Sequence, residues 1–308
     1  MINKKMSGSF LLFLTAFIWG AAFVAQKIGI VQIGTFTFTF TRFLISGIAL
    51  LPFVLISRKK NVEKRVSAEH KRSSFKKLIA GGLLCGLFLG LATNAQQIGL
   101  SGTTAGKAGF ITALYIVFVP ILGIFRKKKV TLSIWLSVIV ATGGFYLLSA
   151  NEGISLDKGN AVVLLSAVLF ALHILIIDHF SPQTNGIQLS CIQFFTASVI
   201  SGILMLIFET PDFNAVLACW VPILYLGVVS GALAYTLQIL GQKNTDPTLA
   251  SLIMSTESVF AVIAGVIFLN ESLTLIELAG CTLVFAAIIW SQVSSSRANR
   301  IELKCEKN

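Results

Sequence analysis

A chain of 308 residues that is 55% hydrophobic and 12% charged, with a mean hydropathy of +0.85, falls outside the range of soluble globular domains. Its formal charge of +11 does not point to nucleic acid, because most Lys and Arg sit in short loops between membrane-length apolar runs, the positive-inside pattern. No interval between those runs could hold a soluble domain, the longest being Ser57 to Lys77.

In chain order, the apolar runs predict ten membrane-spanning helices at roughly 9–28, 35–56, 78–99, 104–125, 131–149, 160–178, 187–208, 219–241, 248–269 and 272–293. Lys4 and Lys5 before the first run imitate a secretory signal. No soluble mature domain follows, so that run is expected to stay as the first span. The segments predicted to lie inside carry Lys4, Lys5, Arg58 to Lys77, Arg126 to Lys129, Lys243 and the basic tail. Those predicted outside carry Glu152, Asp157, Lys158, Glu209, Asp212 and Glu271, mostly acidic. Both termini are therefore expected in the cytoplasm, with the chain a multi-pass protein of the plasma membrane, the inner membrane of a two-membrane cell. Cys85, Cys191, Cys219, Cys281 and Cys305 form neither a close pair nor a Cys/His cluster, so neither a disulfide framework nor a zinc site is indicated.

Polar and aromatic residues inside the spans are the candidates for function. Glu257 sits nine residues into Thr248 to Asn270, ~14 Å along a helix and so near the bilayer midplane. Placing an acid there costs on the order of 2.5–3.5 kcal/mol, so the carboxylate must face protein or a wet cavity. Helical spacing puts Ala250, Met254, Ala261 and Ala264 on its face, mostly small side chains that admit a close neighbour or a ligand. It is either a buried acid satisfied by another helix or a group on a substrate path.

Lys107 lies early in span four within Ala105, Gly106 and Gly109, and either snorkels to the outer interface or faces a cavity. Lys107 and Glu257 differ in depth by ~10 Å, which suits two poles of one zwitterion site better than a salt bridge. Arg42, early in span two, reads first as a structural arginine bonding helix ends. His173 reads first as a satisfied core histidine and second as a proton relay. Asn94, Gln97 and Gln238 are amides suited to interhelical bonds or to cavity walls. Trp19, Tyr115 and Tyr235 lie in mid-span, away from the interfacial belts, and either pack or line a cavity.

The chain also repeats itself. An offset of 151 lays Leu14–Ala21 on Leu165–Leu172 and Arg42-Phe43 on Gln193-Phe194. An offset of 141 lays Gly86, Gly90 and Gln97 on Gly227, Gly231 and Gln238, and one of 143 lays Thr112 on Ser255. The expected units are 9–149 and 160–293, followed by a cytoplasmic tail over 294–308. With five spans in each, the two copies would insert upside down relative to one another. Inverted repeats are an architecture of secondary transporters, whose site lies near the midplane between the halves. The fold class expected is thus an all-α membrane protein, ten transmembrane helices in two inverted five-helix repeats.

Phe17-Ile-Trp-Gly-Ala-Ala-Phe23 with Lys27 and Gly29, Arg42-Phe43, and Thr104-Ala-Gly-Lys-Ala-Gly-Phe110 with Val119-Pro120 resemble the drug/metabolite transporter superfamily. Ser255-Thr-Glu-Ser-Val-Phe260, Phe268-Leu-Asn-Glu271 and Glu277-Leu-Ala-Gly280 resemble the end of its second EamA-type domain. The resemblance implies ten spans, both termini inside, and a central cavity lined by spans one, three, four, six, eight and nine. It also implies export of amino acids or other small metabolites. Ser258 stands where the family often has proline, which leaves a straighter ninth helix open.

The function expected is a secondary transporter that exports a small polar or amphipathic metabolite by alternating access, coupled to protons through Glu257 or uncoupled. Its partners are that small molecule and the lipid bilayer, with no nucleic acid and no cofactor. No GxxxxGK[ST] loop, Ser/His/Asp set or HExxH occurs, so ATP-driven transport and enzymatic activity are not expected. The alternatives are uptake or exchange of a nucleotide-type metabolite, for which Lys107 is the one evident cavity cation, and a non-transporting scaffold or sensor, which leaves the repeat unexplained.

Overall fold

The computed structural model describes residues 2–62, 68–102, 105–125, 130–148, 158–269 and 274–305, and every regular element among them is helical. Apolar segments in lipid have no water for their amides, so they must close their backbone bonds within the segment. Helices α1 (Ile2–Gln32), α2 (Thr35–Val62) and α3 (Ala68–Ser101) are continuous. The next span is divided into α4 (Ala105–Ala113) and α5 (Tyr115–Phe125), and α6 (Leu132–Leu148) closes the first half. The second half has α7 (Lys158–Phe180) and α8 (Gly186–Phe208), then the short α9 (Phe213–Ala218). Its following span joins α10 (Trp220–Leu224), a π-helix over Tyr225–Tyr235 and α11 (Thr236–Gln242). Last come α12 (Pro247–Met254), α13 (Glu257–Leu269) and α14 (Leu275–Cys305).

Among the described residues, eight helical stretches are long and apolar enough to cross a membrane unaided. The fifth and tenth expected spans appear as shorter apolar stretches, Leu132–Leu147 and Leu278–Ser291. These two lie together, with Trp290 Nε1 donating to Ser133 Oγ at 3.1 Å and α6 packed along α14.

Three of the expected spans depart from a regular α-helix. At Leu114 the chain tightens to i→i−3 bonds, Leu114 N to Ile111 O at 3.2 Å and Val117 N to Leu114 O at 2.9 Å. The ninth span is not straight either, although it has no proline at its centre. It breaks at Ser255 and Thr256, where Thr256 N reaches Ile253 O and Ser258 N reaches Ser255 O, both at 3.2 Å. The cause is a run of hydroxyls. Ser251, Ser255 and Thr256 each donate to the carbonyl three residues back, at 2.8, 2.8 and 2.6 Å, competing with the regular ladder. The two breaks fall at nearly equivalent places under the offset that lays Thr112 on Ser255. Upstream, α12 is nucleated conventionally: Asp246 accepts from Thr248 N and Leu249 N, with Pro247 in the first turn.

The third departure is the π-helix. Three of its carbonyls accept side chains from neighbouring helices: Gly227 O from Ser46 Oγ at 2.7 Å, Ser230 O from Trp19 Nε1 at 3.1 Å, and Ala234 O from Thr15 Oγ1 at 3.2 Å. Inserted donors of this kind widen a helical ladder.

Packing is chiefly between the halves. The most extensive helix pairs are α3 with α7 and α8, α2 with α8, α6 with α14, and α1 with α13. Gly20 of α1 permits the last of these, since a Cβ there would collide with Phe260 of α13 and come within 2.9 Å of Ala261 N. On the outer side predicted for them, the end of α8 is clasped to the start of α2. Glu209 accepts from Phe36 N (2.9 Å), Thr37 N (2.8 Å) and Thr37 Oγ1 (2.7 Å), a carboxylate seated on a helix N-terminus. The outward surface is apolar, with Phe125, Leu206, Ile207, Phe208 and Ile267 exposed, while Thr15, Gln26, Arg42, Asn94, His173 and Glu257 are buried. That is the arrangement lipid requires.

Candidate functional site

The polar interior converges on a cavity between the halves. Helix α1 lines it with Trp19, Ala22, Phe23 and Gln26, spaced at i, i+3, i+4 and i+7 and so on a single face. Helix α2 contributes Arg42 and Phe43, α3 Gln96, α4 Thr112, α5 Tyr115 and α7 Phe170. The π-helix adds Leu226, Ser230, Gly231 and Tyr235, all on one side because its turns hold more residues than an α-turn. Glu257, the first residue of α13, completes the lining. About 40 Å³ is open to the centres of water molecules, room for more than one water.

Two ionisable groups of opposite sign share this space, Arg42 at 5% exposure and Glu257 at 4%. Arg42 stacks over the ring of Phe43 at 5.0 Å, and its Nε has no hydrogen-bond acceptor. No ion pair joins Arg42 to Glu257. Tyr115, at the start of α5, sets its hydroxyl toward the carboxyl of Glu257, at the start of α13. The Gln26 amide oxygen is also buried without a donor, whereas Gln96 Nε2 donates to Thr112 Oγ1 at 3.0 Å. One wall is aromatic, with Trp19 against Tyr235 at 4.6 Å between ring centres and Phe194 behind Tyr235 at 5.7 Å. Glu257 and Arg42 thus line one small space inside the bundle, in which charge is weakly screened.

Of the residues singled out in the sequence, Trp19, Tyr115, Tyr235 and Glu257 come together in this lining. Asn94 lies instead between α3 and α8, donating to Gly90 O at 2.7 Å and Ser201 Oγ at 2.8 Å. Gln97 and Gln238 are buried outside the lining. His173 stands one layer behind, 3.2 Å from Gln193 Oε1 and edge-on to Tyr235 at 6.2 Å. Lys107 is in the first turn of α4, and its side chain falls outside the described residues.

Arg42, read first as an outer structural residue, lines the cavity. Gln26, Gln96, Thr112 and Ser230 were not singled out by the sequence. A signal existed for Gln26, which is two helical turns beyond Trp19 on the same face. For Gln96 the sequence points the other way, because the repeat pairs its neighbour Gln97 with Gln238.

A helical bundle with an apolar outside, a polar centre and interrupted spans is a multi-pass membrane protein. A family model described as the EamA-like transporter family matches residues 6–150 and again 157–292. An uncharacterized transporter of Archaeoglobus fulgidus is 30% identical over 292 residues, covering 93% of this chain and 86% of that one. The uncharacterized transporter YoaV of Bacillus subtilis is 24% identical, covering 91% and 94%. The uncharacterized inner membrane transporter YedA of Escherichia coli is 23% identical, covering 90% and 88%. A solved crystal structure superposes with a TM-score of 0.76 over 95% of this chain and 99% of that one, at 15% identity, a likeness of fold. The chain belongs to the EamA-like transporter family, within the drug/metabolite transporter type, and its setting is the lipid bilayer with a small molecule as substrate.

Proposed function

We propose that this protein is a secondary transporter that exports a small polar or amphipathic metabolite, such as an amino acid, across the plasma membrane. Access to the central cavity alternates between the two sides, and Glu257 carries the coupling proton. The observation that supports this reading best is the position of Glu257. A carboxyl buried at mid-span, at the first turn of a half-helix and open to a polar cavity, can take up and release a proton as the space around it changes. The inverted repeat with units 9–149 and 160–293, and both termini in the cytoplasm, belong to the same reading. A phosphate-bearing substrate is a poorer match, because Arg42 is the single cation in the described lining.

The test is flux in proteoliposomes of a panel of labelled amino acids and other metabolites, with and without a pH gradient. Flux that follows the gradient in the wild type, and no longer does so in Glu257→Gln, is the expected result. Gradient-driven flux that survives in the variant would return Glu257 to a packing role.

A further inference from the structure

We infer that Arg42 is the residue that recognises the substrate, by holding a carboxylate, and that the transported class is therefore a carboxylate-bearing zwitterion. The inference deepens the transport reading and rests on it for passage, though not for binding.

Arg42 is buried on α2, yet no carboxylate of the described protein pairs with it. Its guanidinium lies over the Phe43 ring at 5.0 Å, and Nε is buried without an acceptor in a residue that lines the cavity. Its backbone carbonyl is engaged separately, accepting from Ser46 Oγ at 2.8 Å, which pins this turn of α2 to the π-helix through the same hydroxyl. A buried guanidinium that is fixed in place and keeps its planar fork available is suited to bidentate capture of a carboxylate.

Acceptors for the other end of such a molecule line the same cavity: Glu257, and Gln26, whose amide oxygen is buried without a donor. Trp19 and Tyr235, also in the lining, offer an apolar and cation-tolerant wall. A guanidinium donor, acceptors and rings in one cavity describe an amino-acid-like ligand rather than a simple amine, for which Arg42 would be a repulsive neighbour.

The inference is tested by pairing ligands that differ by a carboxylate. Purified protein is titrated with L-leucine, L-methionine and L-phenylalanine, and with the decarboxylated amine of each, following tryptophan fluorescence and the melting temperature. Wild type is expected to bind at least one amino acid about tenfold or more tightly than its amine. In Arg42→Gln that preference disappears, while Arg42→Lys, which keeps the charge without the fork, retains part of it. Equal binding of acid and amine by the wild type, a preference that survives in Arg42→Gln, or no binding of any of the three acids would overturn the assignment. Should Arg42→Gln fail to fold, the wild-type pairs and Arg42→Lys still decide. Flux of the same pairs separates the two readings. Arg42-dependent binding without flux removes the transport reading alone, and flux of amines in preference to acids removes the role of Arg42 alone.

Discussion

Ser258 donates its hydroxyl to the carbonyl of Gly109 at 2.9 Å, tying the first turn of α13 to α4. The two interrupted spans, one from each half, are thus joined next to Glu257. Interhelical bonds of this type in membranes average about 0.6 kcal/mol and reach about 1.7. Ser258→Ala is expected to lower stability by an amount in that range, read as a fall in melting temperature in detergent. No change would mean that the hydroxyl contributes nothing to the junction.

The Tyr115 hydroxyl supports a similar expectation for stability. It faces the Glu257 carboxyl, so Tyr115→Phe removes a buried polar contact and should lower stability by about 0.5–1.5 kcal/mol. If the phenol serves substrate or the Glu257 proton, flux falls severalfold in the same variant. An equally or more stable Tyr115→Phe would show that the contact with Glu257 contributes nothing to the fold.

Gly231 and Gly143 form a matched pair for testing how tightly the cavity wall is set. A Cβ on Gly231 would strike Ser46 Oγ and approach Leu226 O to 2.8 Å, whereas one on Gly143 meets nothing within 4 Å. Gly231→Ala should cost about 1–3 kcal/mol through overpacking against α2. Gly143→Ala should be neutral or stabilising by up to ~1 kcal/mol, the helix propensity gained. Equal effects on thermal unfolding would mean that the π-helix yields freely.

The Glu209 clasp predicts a stability effect far from the cavity. Its carboxylate accepts three bonds from the start of α2, and Glu209→Ala leaves two helix N–H groups and the Thr37 hydroxyl to find other partners. A loss of about 1–3 kcal/mol is expected in thermal unfolding. Asp212→Ala, which uncaps the short α9 through a single bond to Asn214 N at 2.8 Å, should cost less.

Membrane-length runs, the buried acid and the duplication were legible in the sequence because each depends on composition or period, which a bilayer constrains strongly. Trp19, Tyr115, Tyr235 and Glu257 could be singled out because polar or amphipathic groups in mid-span are conspicuous against an apolar background. Their neighbours Gln26 and Gln96 were harder to place. A turn of about 100° per residue sends Gln96 into the cavity and Gln97 away from it, and repeat symmetry favours Gln97 because it pairs with Gln238. The breaks at Leu114 and Ser255 and the π-helix were not legible. The break at Ser255 and the π-helix coincide with hydroxyl competition and with donors supplied by other helices, and apolar periodicity carries no record of either. Arg42 was read as an outer residue from its distance along α2, which says nothing of which way the helix turns its face.

Pairing across the halves has a mechanical consequence. With α2 against α8 and α3 against α7, the repeats are interlocked like clasped fingers rather than set side by side as lobes. Swinging one intact repeat away from the other would shear its most extensive seams and bare hydroxyls and amides to hydrocarbon. A cheaper motion leaves those four helices as a static frame and bends the spans already cut, at Leu114 and at Ser255–Thr256. Under the proposed alternating access, the gate would then be carried by half-helices of 8 to 13 residues each.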